Sequence, residues 1–431
     1  MSDVKDEQKP SSSRRVAVVF AVIAVIVICA LVAGLLVWKG HDSPDERPPK
    51  PYEGARIELS LGSVPGHVRI GLVVSHTENP RQGGEWIGNA HGAQVAMWRL
   101  AQGGHGIEIQ VVSDKGSSQG AKDAVESLKR AGVTGIVAAT SGSHTDALAK
   151  EASRAGIPII FPYATAPDNA PEGTWFGIPT MSQQEDLINA QAAELGCRRF
   201  AVHGSGLQDA DTTEIAVDGR GQVTKQFVEN LAKNPKTCVY IEDLGTAKTA
   251  TDTPTMVTTL RAGGVTAPIF LGPNATSAVS TMALVRDGAA PTQIYSVGMP
   301  SHGVQAVSAD GNEQARAFSE ALTHLSTSEE KSTVDPSKSF ETYSGEADGR
   351  SHDAVVALVA ASVKADSNKA GEVRTALSNL DMSKLPLVNR SDAPDREASS
   401  NGPAAQMVQL TTVQGAATWV SACLLYTSDA A

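Results

Sequence analysis

Residues 156–167 read GIPIIFPYATAP. The stretch 157–161 is apolar and β-branched with no polar alternation, so it is expected to be a strand buried on both faces and closed by Pro162. Strands of that kind belong to parallel sheets, and open α/β sheets take ligands just beyond the carboxyl ends of their strands. Tyr163, Ala164 and Thr165 follow at that end. The preceding apolar run, 135–139, ends in Thr140-Ser141-Gly142-Ser143-His144. Two neighbouring strands are thus expected to bring hydroxyls and free backbone amides to one edge.

Outward from this pair, strand and helix patterns alternate, which predicts parallel sheets with crossover helices. Strands are expected at 68–75, 107–113, 135–139 and 157–161, with helices at 88–102, 118–131 and 145–155. The pattern then restarts. Helices are expected at 181–195, 221–233, 253–263 and 276–287, and strands at 199–203, 238–242, 269–272 and 294–298. Two runs of similar length indicate two lobes rather than one large sheet. Helices at 313–325, 351–364 and 371–380 follow, and the last strands lie in 405–420. The first lobe is expected to take 67–179 with 300–385, and the second 180–299 with 386–422.

Residues 16–38, VAVVFAVIAVIVICALVAGLLVW, carry no charge and would span about 34 Å as a helix, enough to cross a bilayer. Arg14 and Arg15 precede them, which keeps a short tail, 1–15, cytoplasmic. The apolar run is long for a signal peptide, and Ile28 before Cys29 does not suit a lipid-attachment site. An uncleaved, single-pass membrane anchor is expected, with the globular part outside the cell membrane. Residues 39–66 are polar and Pro-rich and read as a semi-rigid spacer. Residues 423–431, CLLYTSDAA, resemble the translation of a transposon-end sequencing adapter; they are excluded from the reading, and the true C-terminus is expected to be missing.

The 431 residues carry a net charge of −11, which argues against a nucleic-acid partner. Several chemistries lack their residues. Gly204-Ser205-Gly206 has Asp209 where a dinucleotide loop needs its third glycine. There is no Walker loop, His-Glu-x-x-His, Cys-x-x-Cys or Gly-x-Ser-x-Gly elbow. His76, His144 and His203 each follow a strand, a position where lone histidines more often hydrogen-bond than bind metal. No enzyme activity, metal or cofactor is expected. Cys197 and Cys238 lie at the starts of consecutive strands that a right-handed crossover would set side by side, so a disulfide is expected between them.

Three segments carry a family resemblance: VRIGLVVSHTENPRQGGEWIGNAHGAQVA (68–96), VTGIVAATSGSHTDALAKEASRAGIPIIFPYATAP (133–167) and SHDAVVALVAASVKA (351–365). Over 68–420 the chain resembles the type I periplasmic-binding-protein fold. The likeness is to the branched-chain amino-acid receptor-like, leucine-binding-protein-like substrate-binding proteins of ABC transporters. The resemblance implies a two-lobed α/β protein, two parallel sheets with flanking helices, closing over a small solute. It also implies that the loops matching Ser141, Ser143, His144, Ala164 and Thr165 hold the ligand's carboxylate, a role that hydroxyls and amides at strand ends suit.

The second lobe departs from that pattern. Asp218 stands before Gly219-Arg220-Gly221 where the family often has an aromatic, and Met299-Pro300 follow 294–298 where it has an acidic residue for the ammonium. Tyr163, Ala164, Thr165, Ser141 and Ser143 are therefore expected on one cleft wall, with Asn274 and Met299 on the other, and Asp209 or Asp211 as further polar candidates. An ammonium would lack its counter-charge, so a small polar solute other than an ordinary α-amino acid is expected. Delivery to an ABC transporter permease is the first functional reading. The alternatives are a sensing domain acting through a separate membrane partner, and a structural surface protein with a degenerate cleft.

Overall fold

The computed structural model describes residues 56–77, 82–204, 207, 210–242, 253–286, 293–298, 313–389, 406–413 and 416–421. The expected anchor at 16–38, Met299 and Asp209 lie outside the described residues. Among the described residues no helix is long and apolar enough to cross a membrane.

The first sheet holds β1 (Val68–Val74), β2 (Ile107–Ser113), β3 (Gly135–Ala139), β4 (Ile159–Thr165) and β5 (Thr174–Ile178). All pairs are parallel and the order is β2-β1-β3-β4-β5. Between them run α1 (Gly92–Gln102), α2 (Ser118–Ala131) and α3 (Thr145–Ala155). Hydroxyl capping starts α2, where Ser117 accepts from the Gly120 amide, and left-handed Gly132 and Gly156 end α2 and α3.

The chain crosses to the second lobe at Pro179-Thr180, where a capping box of Thr180 and Gln183 starts α4 (Met181–Glu194). The second sheet holds β6 (Arg199–His203), β7 (Thr212–Glu214), β8 (Thr237–Ile241), β9 (Ile269–Leu271), β10 (Ile294–Gly298), β11 (Gln406–Val413) and β12 (Ala416–Ser421). Its order is β12-β11-β10-β9-β8-β6-β7, parallel except that β11 and β12 run antiparallel. Its helices are α5 (Lys225–Ala232), α6 (Thr253–Ala262) and α7 (Ala278–Arg286).

The chain then returns to the first lobe as α8 (Glu313–Thr327), α9 (Gly349–Ala365) and α10 (Ala370–Ser378). From Gly349 to Ser362 every residue of α9 is buried, which suits a helix that is apolar on nearly every side. It packs in one core with Val68, Leu72 and Val137 on one face of the sheet, while Ile136, Ala138 and Phe161 join a second core on the other. This double covering explains why these strands carry continuous apolar runs.

The structure shifts three expectations. The opening strand begins at Ile159 and passes through Pro162 to Thr165, with a register shift between Phe161 and Thr165. Proline has no N–H for the ladder, so the strand bulges there and pairing resumes at Thr165. The tail of the stretch read as spacer is docked: the Leu59 amide donates to Arg99 O, the Arg99 Nε donates to Ile57 O, and Leu59 is 2 % exposed. Helix α5 starts later than expected, because Asp218 Oδ1 accepts from the amides of Arg220 and Gln222 and bends the chain into a turn. Strands β5 and β7 were not legible in the sequence; β7, Thr-Thr-Glu, is wholly exposed and polar.

Cys197 and Cys238 are joined, with Cα atoms 5.7 Å apart, in the range disulfide geometry needs.

Candidate functional site

In the order β2-β1-β3-β4-β5 the chain reverses direction across the sheet between β1 and β3, and the crevice at such a switch point is where this topology places ligands. Four polar side chains meet there, all buried: Ser75 after β1, Asp114 after β2, and Thr140 and His144 after β3. Ser75 Oγ donates to Asp114 Oδ1 at 2.6 Å and lies 2.6 Å from Thr140 Oγ1. His144 Nε2 is 2.9 Å from Thr140 Oγ1 and 3.1 Å from Asp114 Oδ2. These hydroxyls are spent on holding the strand ends together. His76 is exposed and outside the cluster, and His203 belongs to the other sheet. Among the described residues no group of three His, Cys, Asp or Glu could hold a metal ion.

Beside this network lies a short helical turn, Gly84–Trp86. Trp86 is fully buried; its ring stacks on Tyr163 with centroids 4.3 Å apart and planes 9° from parallel. Ser141 Oγ accepts from Trp86 Nε1 at 2.9 Å and donates to Glu85 Oε1 at 2.9 Å. The turn can lie this close because Gly83 has φ of 87° and a Cβ there would stand 2.0 Å from Thr140 Oγ1.

Tyr163 points away from solvent. Its hydroxyl donates to Asp348 Oδ1 at 2.6 Å and lies 2.7 Å from Ser351 Oγ. Burial, followed by the Asp348 carboxylate, pushes the phenol well above its ordinary range, so it remains a donor. Asp348 caps α9 through the Arg350 amide and accepts on Oδ2 from Arg350 Nε at 2.9 Å, Arg350 Nη2 at 2.8 Å and Asn89 Nδ2 at 2.7 Å. A buried carboxylate so supplied with donors is fully satisfied.

Arg350 is 3 % exposed and its guanidinium carbon lies 4.6 Å from the Tyr163 ring centroid and 5.2 Å from that of Trp86. The same group reaches the second lobe. Nη1 donates to Thr276 Oγ1 at 3.1 Å, and Nη2 to Thr276 O at 3.2 Å. Thr276 closes the short helical turn Pro273–Thr276 after β9. A second cross-lobe contact joins Gln184 Nε2 of α4 to Thr165 Oγ1 at 3.4 Å.

The expected site residues are thus distributed unevenly. Ser141 and Tyr163 meet around Trp86. Ala164 is turned to the opposite face of the sheet, among Phe161 and Phe176, because successive strand residues alternate sides. Thr165 is half-buried and faces α4, Ser143 is exposed on its loop, and Asn274 sits in the turn that carries Thr276. Asp211 is exposed and pairs with Arg199. Sequence reading missed Glu85, Trp86, Asp348, Arg350 and Thr276. The segment 68–96 already contained Trp86 between glycines, and the Asp348-Gly349-Arg350 start of α9 was a visible capping signal.

Two α/β lobes flanked by helices define the type I periplasmic-binding fold; the first sheet is parallel as expected, whereas the second is mixed, because its last two strands return antiparallel. The family described as periplasmic binding proteins and sugar binding domain of LacI family matches residues 70–195. Among solved structures, the chain is similar to the branched-chain amino-acid transporter substrate-binding protein LivJ of Streptococcus pneumoniae in complex with isoleucine. That likeness is 18 % identical, covers 82 % of this chain and 99 % of that one, and has a TM-score of 0.55. The leucine-binding protein LivK of Thermotoga maritima is 15 % identical over 82 % of this chain and 98 % of its own, with a TM-score of 0.58. A type 1 periplasmic binding protein of Bordetella pertussis is 14 % identical over 83 % and 100 %, with a TM-score of 0.57. No curated protein is significantly similar in sequence.

Proposed function

We propose that this chain is a non-enzymatic solute-binding protein, held at the outer face of the cell membrane by residues 16–38, which closes its two lobes over a small polar solute for delivery to an ABC transporter. The observation that carries the reading is the buried Arg350, which is anchored in the first lobe by Asp348 and bonded across the cleft to Thr276. Lobes able to meet through a polar contact at the strand ends are suited to closing over a guest there. Ser141, Thr165 and the guanidinium together favour a solute with a carboxylate or polar oxygen. Asn274 and Met299 remain the candidates for the facing wall. The similar pneumococcal protein holds isoleucine and the Thermotoga protein is named for leucine, so amino acids belong in any test.

The test is calorimetric titration of the purified chain with leucine, isoleucine, small amides and small carboxylates. At least one should bind, and Thr165→Val should weaken it by about tenfold, the value of one lost hydrogen bond. Silence across the whole panel, extended to aromatic carboxylates, overturns the proposal.

A further inference from the structure

The Glu85–Trp86 turn fills the place that the switch-point topology reserves for a guest, and it does so with the chemical groups of one. We infer that this turn is an internal stand-in for the solute, and that the solute which displaces it is a planar aromatic ring bearing a carboxylate. The inference rests on the solute-binding reading above and narrows its ligand class.

Two neighbouring residues converge on a single hydroxyl. Ser141 Oγ gives its proton to the Glu85 carboxylate and receives one from the Trp86 indole, each at 2.9 Å. A ring lies flat against Tyr163 at 4.3 Å, with the Arg350 guanidinium within reach of both rings. Face-to-face stacking beside a cation selects flat, electron-rich rings, and an aliphatic side chain would gain neither contact. The wall also has an unmet need. Asn89 Oδ1 is buried with no hydrogen-bond donor, although Asn89 Nδ2 is held by Asp348 and Asn89 O accepts from the Tyr163 hydroxyl at 3.3 Å. A buried acceptor without a donor is costly, and the turn as it stands does not relieve it.

The backbone of the turn is lightly held. It is a three-residue 3₁₀ turn whose backbone bonds, Trp86 N to Gly83 O and Ile87 N to Gly84 O, are long at 3.2 and 3.3 Å. Gly83 precedes it and Gly84 is its first residue, so the backbone that would have to swing is free of side chains there. Its polar contacts with Ser141 are ones that a guest of the same chemistry would replace.

The experiment uses the full-length chain and two probes, indole-3-propionate and 3-phenylpropionate. Trp86→Ala empties the slot, and calorimetry should find indole-3-propionate bound at least about tenfold more tightly than by the wild type, with a further loss of about tenfold when Ser141→Ala is added. On the wild type, saturating 3-phenylpropionate should raise amide hydrogen exchange across 83–87, because the turn is expelled. A folded Trp86→Ala that gains no affinity, or exchange at 83–87 that stays unchanged with 3-phenylpropionate bound, overturns the inference. If Trp86→Ala does not fold, the wild-type exchange measurement decides alone. Leucine or isoleucine binding to the wild type with the turn unmoved, and neither aromatic probe binding, leaves the solute-binding reading standing and removes this one. Failure of every probe and every panel compound removes both.

Discussion

Arg350 and Thr276 bond across the cleft between the lobes, side chain to hydroxyl at 3.1 Å and side chain to carbonyl at 3.2 Å. The arginine is held on its own side by a fork of two bonds to Asp348, so its position does not depend on the partner lobe. Its remaining N–H groups reach the other lobe at Thr276. Such a contact can tune the balance between open and closed forms without touching a solute.

Removing this arginine should therefore act in two ways. Arg350→Met leaves Asp348 buried without its counter-charge, at a cost of about 3 to 5 kcal/mol in urea unfolding. Thr276→Val keeps that pair and loses one acceptor, for about 1 kcal/mol. In small-angle scattering, Thr276→Val should shift the solute-free protein toward a larger radius of gyration. An unchanged radius would mean that the bond does not govern closure.

Acid should weaken the fold through two buried histidines. His91 Nδ1 donates to the carbonyls of Ile87 and Gly88, which leaves Nε2 to accept from Ser332. Burial holds its pKa down at about 4, the backbone carbonyls offsetting part of the effect. His352 is lowered as well, first by burial and then by the Arg99 guanidinium that donates to its Nε2. The unfolded chain, with ordinary histidines, binds protons first as pH falls. Stability is thus complete above about pH 6.5 and declines toward pH 4, by up to about 3 kcal/mol for His91. Urea unfolding across that range should show the decline, and His91→Gln should flatten it.

The disulfide closes a sequence separation of 41, for which loop entropy gives roughly 4 kcal/mol. Cys197→Ser with Cys238→Ser should lower the urea midpoint accordingly. Dithiothreitol should lower the wild-type midpoint to the same value and leave the double variant unmoved.

Gly83→Ala should be poorly tolerated. Its Cβ would press on Thr140 Oγ1 at 2.0 Å and Ser75 Oγ at 2.5 Å, and φ of 87° is a left-handed position that alanine resists. A loss of about 2 kcal/mol or more in thermal unfolding is expected, with changed near-ultraviolet circular dichroism from Trp86. An unchanged spectrum would show that the turn is not seated by this contact.

The sheet strands were legible because burial on both faces writes continuous apolar runs such as IVAA at 136–139. The glycine-ended helices were legible for the same local reason. What escaped the sequence was polar and long-range. Thr276 and Arg350 are far apart in the chain, and nothing near either residue announces the other. Thr140 and Ser141 read as free hydroxyls at a strand end, yet the structure spends them on Ser75, His144, Trp86 and Glu85. The strand 159–165 looked closed at Pro162, because a bulge that absorbs a proline needs a partner strand, β5, that left only a faint apolar trace.

The antiparallel pair that ends the second sheet has a consequence for biogenesis. β10 receives its neighbour β11 only after the first lobe's last helices have been made. During synthesis at about 5 to 20 residues per second, the edge of β10 stays unpaired for several seconds. Trp419, fully buried and bonded through Nε1 to Thr281 Oγ1 at 2.8 Å, then locks β12 onto α7. Until it arrives, the second lobe presents an open strand edge of the kind that recruits other chains.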